Sequence, residues 1–468
     1  MDKDYGQISV SELASMIESK EISPVEVTES ILSRIEKTDA RINSYITVTS
    51  KEAKEQARAA EAAIKSGNYL GPLHGIPISL KDNIHTESIR TTNGAKIDAD
   101  QIPNFDATIT ARLKAAGAVI TGKVNMHEYA ASVTTNNPHY GPTRNPWDLE
   151  RIAGGSSGGS AAAVSANQCM ASIGTDTGGS IRIPASLRGV VGLKPTYGLI
   201  SKYGVTPLSL SLDHAGPITK TVRDAAVVLH VLAEFDPNDP DSREVSSEDY
   251  TLMLNSDLKG TRIGLPRNYY FENIDPEVKQ CVESAIQDLK RIGCIIEEIE
   301  LPNSRHSLTV TSTIAGVEAA VFHEENIKNR PSDFGFDVIT WFQHTEKILA
   351  SQYVKAQQNR NLIKNDFAQA FAKVDIICTP TLPTTAPKIG QEVIQYEDFE
   401  ESVVDSMLRL NCPANVAGIP AITVPCGFSS NGLPIGLQIM GAPFKESKVL
   451  QVANAYETHF GLKYIPNI

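Results

Sequence analysis

The sequence predicts an α/β protein built as one large unit around a mixed β-sheet, and three observations carry that reading. From Gly71 onward, short apolar runs of strand length alternate with helical periodicities. Strand signals continue to the far end, at 375–378, 421–425 and 435–440, the last two separated by the turn pair Asn431-Gly432. A chain of 468 residues with 41% hydrophobic content can bury a core of that size, and no internal repeat divides it.

Taken in order, residues 1–66 read as helices around a short strand, a segment packed on the remaining unit, 67–468. Ser23, Pro24 and Glu26 form a capping box with proline at the first helical position, followed by Val27, Ile31, Leu32 and Ile35 at helical spacing. A second helix, rich in Ala and Glu, covers 51–65. Residues 76–80 are a short apolar strand that delivers Lys81 and Asp82 at its carboxyl end, where α/β sheets place their ligand sites. Asp106 is expected to cap a helix that runs through Ala115 and stops at Gly117, with a strand at 118–121. The run from Gly117 to Lys123 mimics a phosphate-binding loop. Val124 in place of Ser/Thr, and the strand-like AVIT inside it, exclude that function. Further on, Thr221 with Asp224 opens a helix through Phe235, a polar connection follows at 236–242, and Asp275-Pro276 opens another helix before Gly293 and a strand at 294–299. Residues 308–372 read as mostly helical.

Charge and cysteines narrow the function. The net charge of −12 argues against a broad nucleic-acid or anionic-membrane surface. Six cysteines lie far apart without a C-x-x-C pair, which gives little support to a zinc site or a disulfide framework. The opening MDKDYGQISV lacks the pattern of a secretory leader, and no run approaches 18 apolar residues. The expectation is a soluble cytoplasmic protein without cofactor or metal, whose N-terminal helices are a candidate contact for a homodimer.

The chemistry concentrates in Gly154 to Pro184, GGSSGGSAAAVSANQCMASIGTDTGGSIRIP. Two glycine-serine clusters flank an apolar segment predicted to form a helix and then a strand. A flexible tether would not carry Ala161, Val164, Met170 and Ile173, so the glycine turns are pinned to buried elements. Such turns let backbone N–H groups converge on one spot.

That stretch, together with GLKPTYG (192–198), PLHGIPISLKDNI (72–84), GPTRNPWD (141–148) and NVAGIPAITVPCG (415–427), resembles the amidase signature family, enzymes with a Ser-Ser-Lys triad. The resemblance implies that family's fold, a mixed sheet covered by helices on both faces. It makes Ser180 the nucleophile and Ser156 the proton relay, reached through a cis peptide bond, with Ser157 as the alternative relay. Lys81 becomes the base, which requires burial or nearby donors to pull its pKa down from about 10.4. The N–H groups of Thr177, Gly178, Gly179 and Ser180 become the oxyanion donors, each worth about 2.7–4 kcal/mol in the transition state. Ser180 is also placed to cap a following helix. Asp82, Asp176 and Arg182 are candidates for orienting the loops, and a structural ion pair explains them equally well. Met126 and Tyr129 are acyl-pocket candidates by family position.

A rival reading starts from Gly154, Ser156 and Gly158, which spell the G-x-S-x-G elbow of α/β-hydrolases. It needs an apolar strand just before the serine, which NPWDLERIA does not supply, and a histidine such as His214 or His230; His230 reads instead as a packing residue of an amphipathic helix.

For the substrate, YVKAQQNRNLI (353–363) resembles one branch of the family, the glutamine-hydrolysing component of tRNA-dependent amidotransferases, which passes ammonia to a partner subunit. Arg360 falls where that branch carries a glutamine-binding arginine. Other positions depart: AGVEAAVFHEEN (315–326) lacks the A-R-Y/F-D-G segment, Leu408 stands at the substrate-binding aspartate, and SLDH (211–214) replaces SLDQ. The expectation from these departures is a stand-alone amidase acting on a small carboxamide. The amidotransferase component is the alternative, and a catalytically silent scaffold is a third reading. No direct contact with nucleic acid is expected.

Overall fold

The computed structural model describes residues 5–245, 248–461, 466 and 468, so residues 1–4 of the N-terminal segment lie outside the described residues. Eleven strands form one mixed sheet: β1 (Tyr45–Val48), β2 (Pro77–Lys81), β3 (Val119–Val124), β4 (Ala171–Asp176), β5 (Val191–Lys194), β6 (His214–Thr219), β7 (Arg262–Pro266), β8 (Ile295–Ile299), β9 (Ile376–Pro380), β10 (Ala421–Phe428) and β11 (Pro434–Gly441). Their spatial order is β1-β3-β2-β4-β6-β5-β10-β11-β9-β7-β8. β2 runs parallel to β3 and β4, and β7 parallel to β8 and β9, while the centre is antiparallel.

Successive residues of a strand face opposite sides of the sheet, and here both sides are apolar. Ile376, Cys378, Ile422, Leu437 and Ile439 join one core cluster, which includes helices Val222–Leu232, Pro276–Arg291 and Glu446–Phe460. Their neighbours Ile377, Ala421 and Met440 join another, with Val310, Ile314, Ile363 and Phe367 from helices Ser307–Phe322 and Ala350–Phe371. The inner strands therefore read as apolar runs because helices cover both faces, whereas the edge strand β8, IIEEI, has no buried residue.

The N-terminal segment does more than pack on this sheet. Its helices Val10–Glu18 and Pro24–Ile42 contribute Val10, Leu13, Ile17, Ile31 and Ile35 to the main core, and β1 forms the edge strand against β3. Ser23 and Glu26 make the expected capping box. The carboxylate of Asp224 accepts from Ser11 N and Ser11 Oγ at 3.0 Å each, tying the first helix to Val222–Leu232.

Three local expectations change. The helix Thr108–Ala115 begins at Ala107 with no side-chain cap; Asp106 instead accepts from Glu87 N at 2.8 Å and pairs with Lys114 at 2.7 Å. The helix opened by Thr221 ends at Leu232, short of Phe235. The strand after Gly117 extends to Val124 and buries Lys123, whose ammonium is held by Ile84 O and by Thr91 Oγ1, the latter at 2.8 Å. Among the described residues no helix is long and apolar enough to cross a membrane. All six cysteines are free thiols.

Candidate active site

Because β2 and β4 lie side by side and run the same way, their carboxyl ends open onto one crevice. Lys81 ends β2, and Thr175 and Asp176 end β4. Lys81 Nζ lies 2.7 Å from Ser156 Oγ and 2.7 Å from Thr175 Oγ1, and all three side chains are buried. Burial holds the Lys81 pKa down to about 7, although the Asp213 and Asp176 carboxylates pull it upward. A neutral amine in this position can donate to one hydroxyl and accept the proton of the other.

Ser156 lies in the loop before the helix Gly158–Ser165, and the Gly155–Ser156 peptide bond is cis. The Ser156 carbonyl accepts from His127 N at 3.1 Å, while Thr135 Oγ1 donates to Gly154 O at 2.9 Å and accepts from Gly158 N at 3.2 Å. Ser157 is engaged elsewhere. Its hydroxyl donates to Thr175 O at 3.0 Å and accepts from Thr175 N at 3.2 Å, so of the two serines only Ser156 meets the lysine.

Ser180 lies in the turn between β4 and the helix Arg182–Arg188. The N-cap of that helix is Ile181, so Ser180 does not cap it. The Ser180 carbonyl accepts from Ser157 N at 3.2 Å, which fastens the Ser180 turn to the loop that carries Ser156. Its hydroxyl has no hydrogen-bond partner among the described residues. Gly179 departs from its expected role: its N–H donates to Asp176 Oδ1 at 2.7 Å, and Ile181 N donates to Oδ2 at 3.1 Å. The N–H groups of Thr177, Gly178 and Ser180 donate to no acceptor among the described residues and remain the oxyanion candidates. Gly179 has φ +134°, and a Cβ there would lie 2.6 Å from Asn411 Cβ. Only glycine fits this turn.

Asp176 and Arg182 form a fully buried pair at 3.0 Å. Burial opposes ionisation of Asp176, but Arg182 overrides it and holds the carboxyl well below the usual carboxylate range. The guanidinium also donates to Asn411 O (3.1 Å), Gln438 Oε1 (2.6 Å) and Asn415 Oδ1 (2.5 Å), and so joins the turn to the helix Cys412–Ala417 and to β11. Asp82 Oδ2 accepts from Thr92 N at 2.8 Å and Thr92 Oγ1 at 2.5 Å, fixing the loop beside β2.

Met126 and Tyr129 are buried in a cluster with Phe334, Val338 and Phe342, and the Tyr129 hydroxyl donates to Asp98 at 2.9 Å. Arg360 donates through Nε to Val416 O at 3.1 Å and through Nη2 to Ser211 O at 2.9 Å. Neither histidine of the rival scheme reaches a serine. His214 donates from Nδ1 to Leu212 O at 2.7 Å, with burial and Lys194 pushing its pKa well below the ordinary value; His230 is exposed rather than packed. The strand before Ser156, Asp148–Ile152, pairs with Arg144–Asn145 and bridges to Lys388, and it lies outside the main sheet.

Sequence reasoning missed Thr175, which completes the lysine's surroundings, although it stands inside the GTDTGGS run. It also missed the roles of Asp213, Gln438 and Asn415; Asp213 and Asn415 stand inside the SLDH and NVAGIPAITVPCG segments, but Thr177 and Arg182, which these residues meet, lie tens to hundreds of residues away.

A buried lysine bonded to a serine, beside a glycine turn with open N–H groups, belongs to the C–N hydrolases. The family model described as Amidase matches residues 26–450, and the chain belongs to that family, the amidase signature enzymes. It is 42% identical over 96% of its length to the A subunit of the glutamyl-tRNA(Gln) amidotransferase of Carboxydothermus hydrogenoformans, covering 96% of that protein. Among solved structures, the corresponding glutamyl-tRNA(Gln) amidotransferase protein of Thermotoga maritima superposes with a TM-score of 0.84 at 35% identity, over 100% of this chain and 99% of that one. A protein from a vestigial complex related to an s-triazine catabolic enzyme superposes with a TM-score of 0.93 at 34% identity, over 98% and 100%. A bacterial aryl acylamidase reaches 0.90 at 28%, over 97% of each chain.

Proposed function

We propose that the chain hydrolyses the side-chain carboxamide of glutamine through an acyl-enzyme on Ser180, as the amide-cleaving component of an amidotransferase assembly. The observation that carries the chemistry is the buried contact of Lys81 Nζ with Ser156 Oγ at 2.7 Å. Uncharged Lys81 accepts the Ser156 proton as Ser156 takes that of Ser180, and Ser180 Oγ attacks the carboxamide carbon. The oxyanion is held by the N–H groups of Thr177, Gly178 and Ser180. Collapse breaks the C–N bond, the relay returns the proton to the leaving ammonia, and water then cleaves the ester to the carboxylate. The amidotransferase relatives at 42% identity over nearly the whole chain support glutamine and a partner subunit over the stand-alone small amidase expected from the sequence. With a net charge of −12, contact with tRNA falls to the partner. The free thiols fit a cytoplasmic location.

One observation favours the small-carboxamide reading. Leu408 Cδ2, Thr311 Cγ2 and Cys412 Sγ lie 3.0, 3.3 and 3.4 Å from where a Cβ of Gly178 would stand, an apolar wall beside the oxyanion turn. That wall offers no carboxylate for the ammonium of glutamine. Ammonia release from glutamine, acetamide and benzamide, by the chain alone and by any complex copurified with it, separates the two. Glutamine turnover that rises with the partner and vanishes in Ser180→Ala supports the proposal. Turnover confined to the simple amides selects the second reading.

A further inference from the structure

Asp213 stands just before β6, where the antiparallel strand starts beside the end of β4. Its Oδ1 accepts from Thr177 Oγ1 at 2.5 Å, and its Oδ2 accepts from Leu208 N at 2.8 Å and Ser209 N at 3.1 Å. Three donors and no acceptor surround it, which favours the ionised carboxylate against the burial that pushes its pKa up. Thr177 opens the oxyanion turn. The loop that carries Asp213 is itself held from the helical side: Glu318 accepts from Ser209 Oγ at 2.6 Å, from Ser211 N at 3.0 Å and from Ser211 Oγ at 2.7 Å, and Tyr353 OH donates to it at 3.1 Å. Arg360, the expected substrate ligand, donates to Ser211 O in the same loop.

We infer that Asp213 is a positioning residue for amide cleavage: by gripping Thr177 it keeps the N–H groups of the 177–180 turn aimed at the oxyanion, and it anchors that turn to the helices that wall the site. The inference rests on Ser180 being the nucleophile. Asp213 has a second effect, because its charge favours the ammonium form of Lys81. The other charged or titratable groups around it are Asp176 from β4, Lys202 and Tyr197 from the preceding loops, and His214 beside it.

The test measures the rate at which a fluorophosphonate labels the protein, the serine oxygen displacing fluoride from phosphorus, so that the natural substrate need not be known. Asp213→Asn and Thr177→Val are each expected to slow labelling by about 10- to 100-fold, the scale of a misplaced catalytic group. The double variant is expected to be no slower than about threefold beyond either single, since the two residues act as one unit. Thr177→Ser, which keeps the hydroxyl, restores the rate. The acid limb of the pH profile moves to lower pH in Asp213→Asn and stays in place in Thr177→Val, a readout that a merely structural role would not divide this way. Wild-type rate and pH limb in Asp213→Asn, or multiplicative losses in the double variant, overturn the inference. Should Asp213→Asn fail to fold, Thr177→Val labelling at the wild-type rate overturns it alone. Absence of labelling in the wild type, with Ser180→Ala no different, instead removes the Ser180 reading beneath it.

Discussion

Burial at the end of β2 favours the uncharged form of Lys81, which serves activity and costs stability. With its pKa at about 7, kcat/KM is expected to rise with pH through that value, as the amine loses its proton and becomes a base. For stability, the folded pKa lies below the value of 10.5 in an unfolded chain. Between about 7 and 10.5 the unfolded chain therefore binds a proton that the folded one does not, and stability through this group rises with pH across that window. Lys81→Met should abolish turnover while raising stability at neutral pH by about 0.5–2 kcal/mol, measured by chemical denaturation. Asp176 has the same sign in an acid window, since its carboxyl too is depressed in the fold. Its contribution is present above the unfolded value of about 3.9 and is lost as acid protonates it. Asp176→Asn leaves Arg182 buried with its charge uncompensated, and is expected to cost about 3–5 kcal/mol.

The glycine-serine turns are elements whose role was legible in the sequence, because polar turn residues stood directly against Ala161, Val164 and Met170, which no solvated linker would carry. The helix and strand between them followed from the same pattern. Less legible was what each backbone donor meets. Gly179 matched the expected oxyanion set, yet its N–H is taken by Asp176, because the pair with Arg182 swings that carboxylate under the turn. Asp106 looked like a helix cap and is drawn instead to Lys114 and Glu87, a choice decided by side chains that only the folded chain brings close. Gly179→Ala tests the turn directly. Its positive φ and the contact with Asn411 predict a loss of about 1–3 kcal/mol in stability. Activity should fall by at least about 10²-fold as the remaining donors shift, a drop seen as kcat lost with KM nearly unchanged.

On the scale of the whole molecule, the single sheet was legible from strands that recur to the last fifty residues, while the helices on both faces were implied by the family resemblance. The part played by the N-terminal segment was not. Its helices carried the periodicity of a packed face, but nothing local showed that β1 would close the edge of the sheet or that Ser11 would bond Asp224 across more than two hundred residues. A chain begun at residue 67 should therefore fail to fold cooperatively, seen as loss of near-ultraviolet circular dichroism and of a sharp thermal transition. The substrate was the least legible feature. Leu408, Thr311 and Cys412 reach the Gly178 turn from helices distant in sequence, so residue type at one position says little until all of them are placed.

The most direct measurement is peptide mass spectrometry of the enzyme quenched in acid during turnover of a slowly deacylating ester. An acyl group on Ser180 in the wild type, absent in Ser180→Ala and in Lys81→Met, is the predicted result. Acylation of Ser156 instead, or undiminished acylation without the amine of Lys81, would contradict the relay.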